Sequence, residues 1–272
     1  MVDQKKLKLI ESISSKETKQ QYVKQLFETI APRYDFVTVF LSYGMDRSWK
    51  RQLVEMAELK GSERVLDLAC GTGDITFLMA TKLGAGEAVG SDIAEAMLRL
   101  AERKRRERNI GNICFNRADT MSLPYENESF DCVSGGYALR NVPDVVGALA
   151  EIHRVLKPGG RFFSLDFGHP PNRLYRWAFF NYLIAVGSLT GIVLHGDADT
   201  YRYIPESLKR YPGQRGIAQL MTEAGYVDCG FHDFLGGIMA INYGTKPRLE
   251  EICQKHASHS VCYCYRCSPY QP

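Results

Sequence analysis

From Arg64 onward, short apolar runs alternate with longer stretches in which apolar residues recur at helical spacing. Runs at Arg64–Leu68, Glu87–Ser91, Ile113–Arg117, Phe130–Gly135 and Phe162–Phe167 read as strands, and helical periodicity reaches to Lys82, Arg108 and Val155 between them. Strands that alternate with helices return by right-handed crossovers, so the pattern predicts a largely parallel sheet. Lys157-Pro158-Gly159-Gly160 is expected to stop the last of these helices and turn the chain into the strand at Phe162. After it, the β-like runs Tyr226–Phe234 and Ile238–Thr245, joined by Leu235-Gly236-Gly237, predict a hairpin that contributes one antiparallel strand. Ahead of the sheet, helical spacing over Tyr22–Ile30 and Trp49–Glu58 flanks Ala31–Arg47, which reads as polar, and the whole forms an N-terminal helical cap.

The insert 172–211 breaks the alternation, because Trp177 to Leu194 is eighteen residues without a charge. A membrane span needs about 20 mostly apolar residues. Asn181, Gly187, Ser188, Thr190 and Gly191 interrupt this one, so a buried lid helix over the cofactor is expected in preference to a span, and such a helix could still touch lipid or line a greasy pocket. Phe179, Phe180, Leu183, Ile184 and Val193 would line such a pocket, and core packing accounts for them equally well. The expected architecture is α/β: a Rossmann-like, seven-stranded, mostly parallel sheet with one antiparallel strand, an N-terminal helical cap and a helical insert before the last two strands. Residues 1–20 form a polar segment, 21–247 one domain, and 248–272 a Cys-rich tail expected to be disordered.

Composition narrows the function. The chain has 272 residues, 45% of them apolar, enough for one α/β domain with additions. A net charge of +3, with no Arg-rich or aromatic-interleaved stripe, argues against nucleic acid. The basic run Arg99 to Arg108 reads as a solvated helix face. No apolar core follows Lys5, Lys6 and Lys8 as in a signal peptide, so a cytoplasmic protein is expected. Cys70, Cys114, Cys132 and Cys229 are scattered as small buried thiols are, while Cys253, Cys262, Cys264 and Cys267 crowd the tail beside His256 and His259. Paired CxxC knuckles are absent there, and no metal is assigned.

The chemistry concentrates at Val65-Leu66-Asp67-Leu68-Ala69-Cys70-Gly71-Thr72-Gly73-Asp74, a strand running into a glycine turn. Gly71 and Gly73 permit a tight turn and close approach of main chain to a ligand. Asp92, 19 residues after Gly73 at the end of the next strand, is placed to accept hydrogen bonds from a ribose. The third glycine of a dinucleotide fingerprint is replaced by Thr76, and Asp67 and Asp74 would repel a pyrophosphate. These features favour S-adenosylmethionine, which is cationic and carries no phosphate; a degenerate dinucleotide site is the alternative. Asp119 could accept from an adenine amino group or merely close an Asx turn. Thr72 and Thr120 complete the expected cofactor set. The alternative for Asp92 is that it caps the helix Ile93–Arg103. In open parallel sheets ligands lie beyond the carboxyl ends of the strands, where Gly71, Asp92, Asp119 and the segment Gly135–Asn141 should converge.

Further segments carry a resemblance: Arg33-Tyr34-Asp35, Leu41-Ser42-Tyr43-Gly44 with Trp49, Arg140-Asn141-Val142-Pro143-Asp144, Arg154-Val155-Leu156-Lys157-Pro158-Gly159-Gly160, and Gly196-Asp197-Ala198-Asp199 before Tyr201-Arg202-Tyr203. From about Tyr22 to Lys246 the chain resembles the ubiquinone/menaquinone biosynthesis C-methyltransferase family. Thr38, Asp46, Asp166 and Gly168 depart from its usual residues. The resemblance implies metal-free transfer of a methyl from S-adenosylmethionine to a ring carbon of a prenylated benzoquinol or naphthoquinol. Arg140 would then stabilise the developing phenolate, Asn141 orient a water or the second quinol oxygen, and Tyr34 join the same network. His169 and His195 are candidate proton acceptors. A quinol substrate also suggests peripheral membrane contact at the inner face, and a homodimer or a quinone-biosynthesis complex. Competing readings are methylation of another lipid or small aromatic, or a non-catalytic cofactor- or quinone-binding scaffold subunit.

Overall fold

The computed structural model describes residues 15–195 and 201–248, together with Leu9 and Glu250. Its strands are β1 (Arg64–Leu68), β2 (Glu87–Asp92), β3 (Ile113–Arg117), β4 (Phe130–Gly136), β5 (Leu156–Phe167), β6 (Val227–Phe234) and β7 (Met239–Thr245). They form one seven-stranded sheet in the order β3-β2-β1-β4-β5-β7-β6, with β7 antiparallel to both neighbours. The helices are α1 (Lys16–Ile30), α2 (Tyr34–Leu41), α3 (Asp46–Met56), α4 (Asp74–Ala80), α5 (Glu95–Glu107), α6 (Val145–Val155), α7 (Arg173–His195), α8 (Tyr203–Arg210) and α9 (Gly213–Glu223). The Cys-rich tail beyond Glu250 and the motif Gly196–Asp199 lie outside the described residues.

Alternation along the central strands divides the core between the two faces of the sheet. Leu66, Leu68, Val133 and Phe162 bury against α6 and α9, whereas Val65, Cys132, Phe163 and Leu165 bury in the cluster that holds α3 and α4. Side chains buried on both faces explain why these strands are short and nearly continuously apolar. α5 turns Met97, Leu98 and Ala101 inward and leaves Arg103 and Arg106 to solvent, with Lys104, Arg105 and Arg106 complementing the dipole at its last turn.

Three expectations change. The stretch Ala31–Arg47 contains α2, because Tyr34, Val37 and Leu41 recur at helical spacing and turn toward an internal cavity, while Asp35 and Phe36 face out of it. Lys157–Gly160 belongs to β5 as a bulge: the register with β4 jumps from Phe130↔Leu156 to Cys132↔Arg161. Gly159 takes φ +80° there and donates its N–H to Lys246 O at 2.8 Å, while Lys157 pairs with Asp131 at 2.8 Å. Finally, α7 is not a buried lid over the cofactor cleft. Phe179 is buried, but Leu174, Trp177, Leu189, Ile192 and Val193 are exposed. Its inner face walls the apolar cavity instead, and among the described residues it is the one helix long and apolar enough to cross a membrane.

Candidate active site

The loop between β1 and α4 is wound tightly by three residues with positive φ, Ala69 at 47°, Gly71 at 56° and Gly73 at 89°. Asp92 at the end of β2 fixes it: Oδ2 accepts from Gly71 N and Oδ1 from Ala94 N, both at 2.8 Å. Each carboxylate oxygen has a second lone pair, so the buried Asp92 can organise the loop and still accept from a ribose. Gly73 makes the tight turn expected of it and has a packing role besides: a Cβ there would stand 2.9 Å from the Phe115 ring of β3.

Thr76, where a dinucleotide site would carry glycine, donates its hydroxyl to Asp67 Oδ2 at 2.6 Å, and Ser134 donates to Oδ1 at 2.8 Å. Burial pushes Asp67 up to about 6, because two neutral hydroxyls only partly offset the lost solvation. Asp74, expected to face a cationic ligand, is compensated within the protein: Lys50 Nζ lies 2.9 Å away and Lys104 Nζ 3.6 Å. Burial raises Asp74, but Lys50 and then Lys104 outweigh it and hold the carboxyl below its ordinary range. Thr72 donates to Asp35 Oδ1 at 2.5 Å and so ties the glycine loop to the N-terminal cap.

Asp92, Asp119 and Thr120 line one cleft with Gly71 and Asn141. Asp119 makes the Asx turn foreseen as its alternative, accepting from Met121 N at 2.9 Å, while Gln20 of α1 donates to its other oxygen. Among the described residues lining this cleft there is no lysine or arginine. Two carboxylates without a cation would repel a pyrophosphate, whereas an adenosine bearing a sulfonium and an ammonium fits.

Beside the cleft lies an apolar cavity of about 410 Å³, walled by Val37, Trp49, Phe167, Phe179 and Leu183, into which Arg140 also faces. Arg140 is 5% exposed and firmly held: Nε is 3.2 Å from Asp166 Oδ1, Nη1 donates to Ser207 Oγ at 2.6 Å, and the Phe167 and Tyr203 rings flank the guanidinium at 5.4 and 5.7 Å. Asp166 also accepts from Arg140 N at 3.1 Å; burial raises its carboxyl and Arg140 partly restores it. Asn141 donates to Tyr137 O at 2.6 Å and accepts from the Tyr203 hydroxyl at 2.9 Å.

Tyr34 and Tyr137 border both the cleft and the apolar cavity. Burial pushes the Tyr34 phenol up to about 12, so it stays protonated and can donate. Tyr137 was not singled out from the sequence. It follows Gly135-Gly136, takes φ +58°, and donates its hydroxyl to Asp46 Oδ1 at 2.7 Å. A glycine pair ending a strand just before Arg140 was the available signal. Lys50, paired with the buried Asp46 at 2.6 Å, was not singled out either, because a lysine inside an amphipathic helix gives no sign that it points inward.

Other candidates stand apart. His169 lines none of these cavities; it contacts Leu208 O at 3.0 Å through Nε2, and burial lowers it. Phe180, Ile184 and Val193 lie outside the apolar cavity. The side chain of His195 is outside the described set.

Residues 15–246 match the ubiE/COQ5 methyltransferase family. The chain is 38% identical over 233 residues to the ubiquinone/menaquinone biosynthesis C-methyltransferase UbiE of Cellvibrio japonicus, covering 85% of this chain and 94% of that protein. The UbiE of Teredinibacter turnerae is 37% identical, with 84% and 92% covered. Among solved structures, a SAM-dependent methyltransferase of Thermotoga maritima, described as a possible histamine N-methyltransferase, superposes with TM-score 0.59 at 20% identity over 82% of this chain and 99% of that one. A SAM-dependent methyltransferase from Aquifex aeolicus gives TM-score 0.55 at 16% identity, with 72% and 89% covered.

Proposed function

This chain belongs to the ubiE/COQ5 methyltransferase family and is an S-adenosylmethionine-dependent methyltransferase, and we propose that it methylates a ring carbon of a prenylated benzoquinol or naphthoquinol in ubiquinone or menaquinone biosynthesis. The observation that carries the acceptor is the 410 Å³ apolar cavity with one buried guanidinium in its wall, meeting the cofactor cleft at Tyr34 and Tyr137. An aliphatic tail and an aromatic ring would bury there, and the cation would meet the ring's oxygen.

S-adenosylmethionine supplies an electrophilic methyl group, and the rest falls to the protein. A quinol carbon becomes nucleophilic as a neighbouring hydroxyl loses its proton, yet a phenol with a pKa of about 10 is mostly protonated at neutral pH. Arg140 stabilises the phenolate as it forms, the hydroxyl proton passing to water because a guanidinium does not act as the base itself. As the ring carbon bonds to the methyl the S–CH3 bond breaks, S-adenosylhomocysteine leaves, and the ring proton at that carbon is then lost to water. Asp166, Ser207 and the flanking rings fix its direction, so little reorganisation is needed when charge develops. Asn141, held between Tyr137 and Tyr203, lines the cofactor cleft and not the apolar cavity, so it would orient a water or the second quinol oxygen at the junction of the two spaces, where Tyr34 also stands. Holding ring and methyl in line can contribute about 7 to 11 kcal/mol at best. Asp92, Gly71 and Asp119 hold the adenosine, with Thr120 beside them and Asp67 and Thr72 at the loop.

The acceptor's tail suggests where the protein works. Phe36, Phe40, Tyr43, Leu174 and Trp177 are exposed, and Tyr43 and Leu174's neighbour Tyr175 are also walls of the cavity. Peripheral contact with a membrane through this rim would give the cavity direct access to the quinol. The deciding experiment is mass spectrometry of reduced, demethylated benzoquinol and naphthoquinol after incubation with purified protein and S-adenosylmethionine. Gain of one methyl on ring carbon supports the proposal; cofactor binding with no gain on either ring would move the acceptor to another aromatic or lipid.

A further inference from the structure

Among the described residues that wall the apolar cavity, the exposed ones are Tyr43, Tyr175, Ala178 and Leu235. Two hydrogen bonds gather them around one mouth. Tyr175, Ala178 and Tyr182 share a face of α7, and the two tyrosines reach different elements from it. Tyr175 donates its hydroxyl to Leu235 O at 3.1 Å, in the turn before β7, and Tyr182 donates to the Tyr43 hydroxyl at 3.0 Å, in the turn between α2 and α3. Both acceptor residues hold left-handed backbone, Tyr43 at φ +50° and Leu235 at +49°, and each is followed by a left-handed glycine, Gly44 at +78° and Gly236 at +63°. Bulky residues seldom adopt that conformation, and such strain gathers at ligand clamps and switch regions. A Cβ at Gly236 would stand 3.2 Å from the Tyr175 ring, so glycine there lets the ring lie against the turn. Burial and then the bond to Tyr43 push the Tyr182 phenol up to about 12, so this side of the mouth carries no charge.

Pockets of about 300 to 1,000 Å³ enclose ligands of drug size. At about 410 Å³ this cavity takes a ring with about one or two isoprenoid units, and a longer tail must cross its wall. We propose that the acceptor's prenyl tail leaves the cavity over Ala178, between the Tyr175–Leu235 and Tyr43–Tyr182 bonds, and that the small side chain at this position sets how long a tail the enzyme accepts. From Tyr175 to Tyr182 α7 rises about 10 Å. A hydrocarbon chain in van der Waals contact with a wall on either side needs about 8 Å, and the single methyl of Ala178 leaves that width open. Leu174 and Trp177 of the same helix are exposed beside the opening, so an emerging tail stays on apolar surface. The inference rests on the prenylated-acceptor reading and adds to it the route of the tail.

If the two bonds only staple α7 to its neighbours, position 178 is an exposed helical site like any other. Turnover by the full-length protein would be followed by mass spectrometry on demethylated quinols with one and with four isoprenoid units, reduced and presented in detergent micelles. The readout is the ratio of kcat/KM for the four-unit acceptor to that for the one-unit acceptor. Ala178→Trp should lower this ratio at least tenfold relative to wild type, and Ala178→Leu at least threefold. Ala185→Trp, also exposed on α7 but outside the cavity wall, should leave it within about twofold. An unchanged ratio in Ala178→Trp, or an equal fall in Ala185→Trp, would overturn the proposal and leave the staple. Should Ala178→Trp not fold, Ala178→Leu decides by the same ratio. Wild type that methylates the one-unit acceptor and rejects the four-unit one would also overturn it, since the tail would then have no way out. Methylation of neither acceptor by wild type would instead sink the prenylated-acceptor reading beneath it.

Discussion

Asp67 and Arg140 are both buried charges, and their neighbours treat them oppositely. The hydroxyls of Thr76 and Ser134, the Thr76 N–H and Lys50 all favour the charged form of Asp67, yet burial outweighs them and lifts it to about 6, so the free site is partly protonated in mild acid. A ligand ammonium favours the ionised carboxylate and draws its pKa down on binding. By linkage, affinity for S-adenosylhomocysteine should be flat above about pH 7 and fall as pH drops through 6, approaching tenfold per unit. Calorimetry between pH 5 and 8 measures this, and Asp67→Asn should give weaker, pH-independent binding over the range. Arg140 has Asp166 at 3.2 Å, so truncating it strands a buried carboxylate. Arg140→Ala is expected to cost about 3 to 5 kcal/mol of stability besides about 10² to 10³ in turnover. Adding Asp166→Ala should recover much of the melting temperature and none of the turnover, which separates the cation's chemistry from its part in an ion pair. A rise in turnover on that second substitution would remove Arg140 from the mechanism.

At the scale of elements, α1 acts as a strap across the cofactor cleft. Lys16 reaches Asp144 at 2.6 Å, Lys19 donates to Arg140 O at 3.0 Å and Val142 O at 2.6 Å, and Gln20 reaches Asp119. At the other end Glu28 accepts from Glu95 N and Ala96 N, a carboxylate at the positive end of α5. A ligand that leaves past α1 would loosen these bonds. Replacing Lys19 by Met and Gln20 by Ala together should speed dissociation of S-adenosylhomocysteine about tenfold in stopped flow, as expected for losing interactions worth about 1.4 kcal/mol. An unchanged off-rate would mean that α1 stays closed throughout the cycle. Legibility follows the same elements. β1, β2 and β4 could be read because strands buried on both faces leave short apolar runs, and the edge strand β3 is marked by Ile113 and Phe115. α2 was hidden because it is only eight residues long, Pro32 and Arg33 precede it, and its inner face mixes the polar Thr38 with Tyr34, Val37 and Leu41. The site followed suit: the glycine loop and Asp92 are local signals, whereas Tyr137, Lys50 and Gln20 matter through contacts made far along the chain.

For the whole molecule, the sheet brings the cofactor cleft to the carboxyl ends of β1, β2 and β4, and the N-terminal cap and the insert close the acceptor cavity over it. The two additions therefore meet at the cavity, and both carry apolar side chains on the outside: the Phe36 and Phe40 rings stack with centroids 6.0 Å apart on α2, and Leu174 and Trp177 project from the start of α7. The exposed arginines Arg47, at the start of α3, and Arg173, at the start of α7, belong to the same two additions, an arrangement that suits anionic lipid headgroups above inserted rings. A spanning α7 would have to give up the wall it makes through Phe179 and Leu183, so a peripheral mode fits the fold better. On that basis Phe40→Ser with Trp177→Ser should abolish flotation with anionic vesicles while leaving the melting temperature within about 1 °C, since both side chains are already in water. The same variant should keep its turnover on a short-tailed, water-soluble quinol and lose most of it on a long-prenyl quinol presented in vesicles. Equal losses on both acceptors would assign these rings to the cavity itself, and equal retention would mean that the quinol reaches the protein without this rim.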